Sequence, residues 1–82
     1  MNETKQYTEE ERQVLDILVN DENYYVRCAV AEQGYGLDIL VNDEDWFVRC
    51  EVAKQGYGLD TLINDEDCDI RMVAKKKLED AK

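Results

Sequence analysis

The sequence predicts an all-α protein, a short α-solenoid of about three 22-residue repeats with a helical cap at each end. Each repeat is expected to hold one α-helix and one short 3₁₀ or single-turn element. Residues 15–36 recur at 37–58 with 17 of 22 positions identical, and a third copy runs from Leu59 to Arg71. A fixed period of this length indicates a stack, because one such unit cannot bury its apolar face without a neighbour.

The first predicted element is a long helix in the N-terminal cap, whose start we place in residues 1–14. Thr8 followed three residues later by Glu11 matches a capping box. The helix is expected to continue to about Val19, with its apolar residues on one face.

Each full repeat is expected to follow one plan. In the second copy Asp43 is the predicted N-cap, since Asx residues favour that position and the next acids suit the first helical turn. The helix should run to about Gln55 and end at Gly56 in a left-handed conformation. A short turn at 59–63 follows, because 22 residues cannot hold two full helices and their loops. The first copy repeats the pattern with Asp21, Gly34 and 37–41.

The third repeat, 59–78, is expected to be modified as the C-terminal cap. Its helix never reaches a glycine and continues to Leu78. Val73 and Ala74 come one residue early relative to the other copies. A rotation of the third helix about its axis, relative to the other two, is therefore an alternative. The lysine run 75–77 suits the C-terminal turns of a solvated helix better than it suits a membrane or nucleic-acid contact. Both ends look finished, so we expect one domain, 1–82, forming a complete capped stack.

Charge narrows the classes of partner. Twenty acidic residues against ten basic ones give a formal charge of −10. Such a surface repels phosphates, so direct nucleic-acid binding is not expected. It favours a basic protein partner, although the simpler interpretation is that acidity keeps a small protein soluble. No apolar run could span a bilayer and no targeting stretch is visible, which predicts a soluble, cytoplasmic protein without membrane contact. We also expect the protein to be a monomer or a weak homo-oligomer.

One acidic and one basic residue recur six positions apart in every repeat. The pairs are Asp21 with Arg27, Asp43 with Arg49, and Asp65 with Arg71. On a helical wheel Arg49 lies about 100° from Val48, inside the apolar arc. A guanidinium there needs acceptors, and we expect the aspartate of its own or the next repeat, with loop carbonyls, in a structural ladder. The alternative is an arginine row that binds an anion or a phosphopeptide.

The D-x₄-VR-x₂-VA pattern resembles HEAT-type repeats, and the short period is similar to the leucine-rich repeat variant family. The matching residues are Asp21, Val26, Arg27, Val30 and Ala31, then Asp43, Val48, Arg49, Val52 and Ala53, and finally Asp65, Ile70 and Arg71. The resemblance covers residues 15–78. It implies a right-handed solenoid of alternating α and 3₁₀ helices that binds other proteins. The family's archetype adds a cysteine-rich iron–sulfur module, but this chain has no cysteine cluster, so no cofactor is expected.

Metal sites and disulfides are poorly supported. Cys28 and Cys50 occupy the same repeat position, and packed helices lie roughly 8–10 Å apart, whereas a disulfide needs Cα atoms within about 7 Å. With Cys68 they are expected to be reduced, half-buried thiols. The chain has no His, and an EF-hand loop from Asp65 would place Ile70 and Lys76 where Gly and Glu are required.

Catalysis is not expected either. The sequence has no His and no Ser, and no glycine-rich loop with the lysine that a phosphate site needs. We therefore predict a non-enzymatic protein with no catalytic, cofactor-binding or metal-binding residues.

Two aromatic residues are candidates for partner binding. Phe47 lies at about 260° on the same wheel, away from the predicted core, and its counterparts are Tyr25 and Asp69. Because aromatic side chains dominate binding hot spots, we expect these three residues with Glu51 to form a protein-binding surface. The alternative is packing against a neighbouring turn. At the level of function, two other hypotheses stay open: an acidic mimic of nucleic acid that occupies a DNA-binding protein, and a self-associating structural repeat protein.

Overall fold

A computed structural model describes residues 6–81 of the chain, which are all-helical with no strand in that range. The six helices are α1 (Glu9–Leu18), α2 (Tyr24–Glu32), α3 (Leu37–Leu40), α4 (Trp46–Lys54), α5 (Leu59–Leu62) and α6 (Cys68–Asp80). The predicted cap segment 1–14 includes residues 1–5, which lie outside the described residues.

Helix α1 begins with the predicted capping box. The Thr8 hydroxyl accepts a hydrogen bond from the Glu11 N–H at 3.1 Å, and the Glu11 carboxylate accepts one from the Thr8 N–H at 2.8 Å. Val19 is the C-cap, as predicted. No residue of α1 is fully buried, so this helix covers the rest of the molecule with one face only.

The N-caps of the three long repeat helices lie two residues later than predicted. They are Asn23, Asp45 and Asp67, so the prediction of Asp21 and Asp43 as N-caps is wrong. In the second repeat the Asp43 carboxylate accepts from the Asp45 N–H at 2.9 Å, and the Asp45 carboxylate accepts from the Phe47 N–H at 2.9 Å. Two successive Asx turns therefore precede each helix, and the first aspartate is free to bond elsewhere.

The glycines end and restart the helices. Gly56 has a φ of +83° just after the last turn of α4, which confirms the predicted left-handed stop. Two residues later Gly58 has a φ of +65° and precedes α5. The short elements exist as predicted, but they are single α-helical turns and not 3₁₀ turns, since Leu62 N–H donates to the Gly58 carbonyl four residues back at 2.9 Å.

Helix α4 packs against both α2 and α6, and the short helices α3 and α5 connect these three. The largest fully buried side chains belong to the repeat helices: Val30, Leu40, Val48, Val52, Leu62 and Ile70. The molecule measures 36 × 34 × 15 Å, so it is only about as thick as two layers of helices.

Helix α6 keeps the register of the other repeats and is not rotated. It begins 22 residues after α4, and Ile70 and Ala74 are as fully buried as Val48 and Val52. Ala74 thus takes the place of Val52. The early Val73-Ala74 pair does not change the register of α6, because the N-cap at Asp67 fixes the residue at which this helix begins.

Candidate functional site

The recurring arginines join successive repeats. Arg27 donates from Nε to Asp43 Oδ2 at 2.7 Å and from Nη2 to Asp43 Oδ1 at 3.0 Å. Its Nη1 donates to the carbonyl oxygens of Asp21 and Glu22, at 2.6 and 3.1 Å. The carboxylate partner therefore belongs to the next repeat, and the carbonyl partners belong to the arginine's own repeat.

Arg49 repeats this arrangement one unit further along. Its Nε and Nη2 donate to the two carboxylate oxygens of Asp65 at 2.9 and 3.2 Å, and its Nη1 donates to the Asp43 carbonyl at 2.7 Å. The side chains of Arg49 and Asp65 are only 11 % and 9 % exposed. A forked pair of this kind fixes both distance and orientation between two repeats.

This geometry shifts the pKa values of the paired groups. The hydrogen bond to Asp43 raises the pKa of Arg27, although burial alone would lower it, and Asp65 does the same for the pKa of Arg49. Burial alone would raise the pKa of Asp65, but hydrogen bonds from Arg49 and from the Asp67 N–H outweigh it and hold that pKa below its ordinary value. Both members of the pair are therefore charged at neutral pH.

These contacts do not leave a row of open guanidinium groups for a phosphopeptide. The forked edges of Arg27 and Arg49 are occupied by aspartates. Arg71 differs, since it is exposed and donates only to the carbonyls of Asp65 and Glu66, at 2.7 and 3.0 Å. Within residues 6–81 no carboxylate lies within 4.0 Å of the Arg71 guanidinium, and no cation lies that close to the Asp21 carboxylate.

Four aromatic rings, three of them exposed and Tyr24 half-buried, form a continuous row across α2 and α4, which we call the aromatic row. The rings stack in the order Tyr25, Tyr24, Phe47, Trp46, with centroid separations of 4.8, 5.8 and 5.1 Å. Tyr25 is 66 % exposed, Trp46 46 % and Phe47 40 %. Phe47 thus stacks on Tyr24 of the neighbouring helix while keeping much of its surface in solvent.

A groove of about 250 Å³ lies beside the aromatic row, between α2 and α4. It is lined by Tyr25, Cys28, Ala29, Glu32, Phe47 and Glu51. The structure therefore brings together three of the four predicted partner-binding residues. Asp69 is exposed at the equivalent position of α6 and is not part of this groove.

The electrostatic character of the groove can be read from its thiol. The pKa of Cys28 is raised first by burial and then by the negative charges of Glu51, Asp45 and Glu32. The groove therefore favours a cation and keeps the Cys28 thiol protonated, which makes it a poor nucleophile.

The cysteines are free thiols, but their environments differ more than predicted. Cys28 is half-buried, Cys50 is buried and Cys68 is exposed. Cys68 occupies the position of Tyr24 and Trp46, at the first turn of α6. It lies beside Asp67 and Asp69, with ligand atoms within 4.8 Å of one another. The Asp67 carboxylate already caps the helix through the Asp69 N–H at 2.9 Å, and capping accounts for this cluster.

Sequence reasoning missed Tyr24, Trp46 and Glu32 as parts of the surface. Tyr24 is half-buried against the core while its ring stacks on Phe47 of α4, and nothing in one helix indicates that its rings stack on those of the next. The signal that could have found them is the recurrence of two adjacent aromatic residues at 24–25 and 46–47.

Comparison of the chain with protein-family models, with curated proteins and with solved structures finds no match. The resemblance to the leucine-rich repeat variant family therefore stays a prediction. Within residues 6–81 no helix has the length and apolar character needed to cross a membrane.

Proposed function

We propose that this chain is a right-handed α-solenoid of three repeats, a non-enzymatic cytoplasmic module that binds a basic segment of another protein at the aromatic row and its groove. The solenoid is supported by two equivalent packings, α2 with α4 and α4 with α6, and by equivalent arginine–aspartate pairs between successive repeats. Non-local contacts thus recur with the sequence period.

One observation carries the binding proposal: an exposed stack of aromatic rings borders a groove whose charged lining residues are acidic. Glu32 and Glu51 line the groove, and among residues 6–81 no lysine or arginine does. A guanidinium or ammonium group can lie over an aromatic face while a carboxylate compensates its charge. Tyrosine, tryptophan and phenylalanine also bury large areas at low entropic cost, which is why they anchor interfaces.

The test is a titration of the ¹⁵N-labelled protein with a peptide of alternating arginine and glycine, followed by NMR. We expect shifts concentrated on amides around Tyr25, Phe47 and Glu51. The double variant Tyr25→Ala/Phe47→Ala should bind the peptide at least about fivefold more weakly, because each cation–π contact contributes roughly 0.5–2 kcal/mol. An acidic peptide of the same length should cause no such shifts.

The matched control is Tyr57→Ala, which removes a ring of similar exposure that lies outside the row. It should leave peptide affinity unchanged. Equal binding by the double variant and the wild type, or shifts spread evenly over all acidic residues, would contradict the proposal and leave only nonspecific charge attraction.

A further inference from the structure

Within residues 6–81, the ladder of arginine–aspartate pairs leaves one charged residue without an ion-pair partner at each end. Three Asn-Asp-Glu segments and three arginines recur along the chain. Two of the three aspartates accept from the arginine of the preceding repeat, which leaves Asp21 at one end and Arg71 at the other. A surplus cation and a surplus anion of matching geometry are therefore presented at opposite ends of the same stack.

Arg71 is held in the orientation that binds a carboxylate in the other repeats. Its Nη1 donates to the carbonyls of Asp65 and Glu66, as Nη1 of Arg27 donates to the carbonyls of Asp21 and Glu22. In Arg27 the remaining edge, Nε and Nη2, meets the next repeat's aspartate. The same edge of Arg71 has no carboxylate partner within residues 6–81.

The Asp21 carboxylate makes the same local hydrogen bond as the equivalent aspartates of the other repeats. Its Oδ1 accepts from the Asn23 N–H at 2.8 Å, as Asp43 Oδ1 accepts from the Asp45 N–H at 2.9 Å. The equivalent aspartates combine this turn with a forked arginine contact. Asp21 makes the turn without the arginine.

The helix faces beside these two residues are also less covered than their counterparts. Met72 is 68 % exposed, whereas the equivalent Cys50 on α4 is 8 % exposed. At the other end Val26 is half-buried, whereas the equivalent Val48 is fully buried. The C-terminal repeat thus lacks, among the described residues, the neighbour that covers α4, whereas on α2 only the N-terminal part is less covered, because Val30 and Ala31 are buried and α1 packs against this helix.

Charge is distributed to match. Helix α1 carries four acidic residues and one basic residue, whereas α6 carries four basic and three acidic residues. Two copies placed end to end therefore bring the slightly basic α6 of one copy towards the acidic α1 of the other, although each chain has a net charge of −10.

We propose that a second copy of this chain docks end to end, with Arg71 of one copy making the forked contact to Asp21 of the next and α6 packing beside α2. The contact is heterologous, so association does not close at a dimer unless the rotation forms a ring. Lys75 stands where the equivalent Ala53 is buried, and its bulk keeps the association weak.

The test is sedimentation equilibrium on the full chain at fixed ionic strength over a concentration series into the millimolar range. The weight-average mass of the wild type should rise above the 9.6 kDa of one chain. Asp21→Arg and Arg71→Asp should each lower the association constant at least about tenfold, because like charges then face each other. An equimolar mixture of the two variants should associate again, since Arg71 of the first faces Asp21 of the second.

The matched control is Lys77→Asp, which makes the same charge change on α6 outside the ladder. It should weaken association much less than Arg71→Asp. A wild type that stays monomeric, an equal effect of Lys77→Asp, or a mixture of the two ladder variants that fails to associate while both keep the wild-type circular dichroism would overturn the proposal.

Discussion

At the scale of single residues, the aspartate of each Asn-Asp-Glu segment has two tasks. Asp65 accepts from the Asp67 N–H at 2.9 Å, which forms the turn before α6, and it accepts both forked contacts from Arg49. One carboxylate therefore sets the start of its own helix and the position of the preceding repeat. Replacing it removes a local and a long-range constraint together.

The lowered pKa of Asp65 predicts how its contribution depends on pH. A carboxylate whose pKa is lower in the folded than in the unfolded chain stabilises the fold fully above the unfolded value, about 3.9. That contribution is lost as pH falls through the folded value. Asp65→Asn should therefore reduce the free energy of unfolding by roughly 3 kcal/mol at pH 7, and the deficit should shrink below about pH 4. Urea denaturation of the wild type and of Asp65→Asn at pH 7 and at pH 3 measures this difference in the free energy of unfolding.

The control for this prediction is Asp60→Asn, which changes an exposed aspartate in the first turn of α5. Its effect should stay within about 0.5 kcal/mol at both pH values. A deficit for Asp65→Asn that is the same at pH 7 and pH 3 would mean that the charge of Asp65 is not what stabilises the fold.

How far the sequence predicts such details depends on the range of the interaction. The six ladder residues stand out from one sequence because a cation on an apolar helical face requires an acceptor. The sequence alone leaves open whether Arg27 pairs with Asp21 of its own repeat or with Asp43 of the next, and the structure shows that it pairs with Asp43, 16 residues away. The choice between the two aspartates thus depends on a contact between residues that are distant in the sequence.

At the scale of elements, the two glycines of each Gly-Tyr-Gly segment have different structural roles. Both have positive φ, which strains any other L-residue. A Cβ added at Gly56 would meet nothing within 4 Å, whereas one at Gly58 would lie 2.7 Å from Val41 Cγ2. Gly56 ends a helix in open space, and Gly58 lets α5 approach the preceding short helix closely.

This difference predicts the effects of two matched substitutions. Gly56→Ala should cost about 1–2 kcal/mol, the strain of a left-handed alanine. Gly58→Ala should cost about 1–3 kcal/mol more, because the stiff side chain of Val41 cannot move away without disturbing the core. Thermal and urea unfolding of both variants measure this. Equal losses would show that Val41 yields freely and that the close approach is unimportant.

The sequence predicts where the helices lie, but it does not predict the hydrogen-bonding type of the short helices or which side chains of neighbouring helices stack. Glycine spacing and repeat length predict one long and one short helix per 22 residues, and the structure has both. The choice between a 3₁₀ and an α-helical turn for α3 and α5 depends on two backbone hydrogen bonds in each, which packing against the long helices can decide. The stacking of Phe47 on Tyr24 likewise depends on how two helices lie side by side.

At the scale of the whole molecule, the thin shape and the repeated packing of α2, α4 and α6 give a body in which each repeat helix contacts its nearest neighbours. The central helix α4 has four buried residues, and α1 has none. Stability in such a body rests on the contacts between repeats as much as on each repeat. The buried arginine–aspartate pairs are therefore expected to stabilise the molecule as a whole.

The most direct test of this claim is a double-mutant cycle on Arg49 and Asp65, using Arg49→Met, Asp65→Asn and the double variant in urea denaturation. The exposed pair Lys76 and Asp80, whose atoms lie 3.7 Å apart, serves as the comparison and should show a coupling of no more than about 0.5 kcal/mol. We predict a coupling free energy of at least about 1.5 kcal/mol between Arg49 and Asp65. A coupling no larger than that of the exposed pair would contradict the claim that these contacts hold successive repeats together.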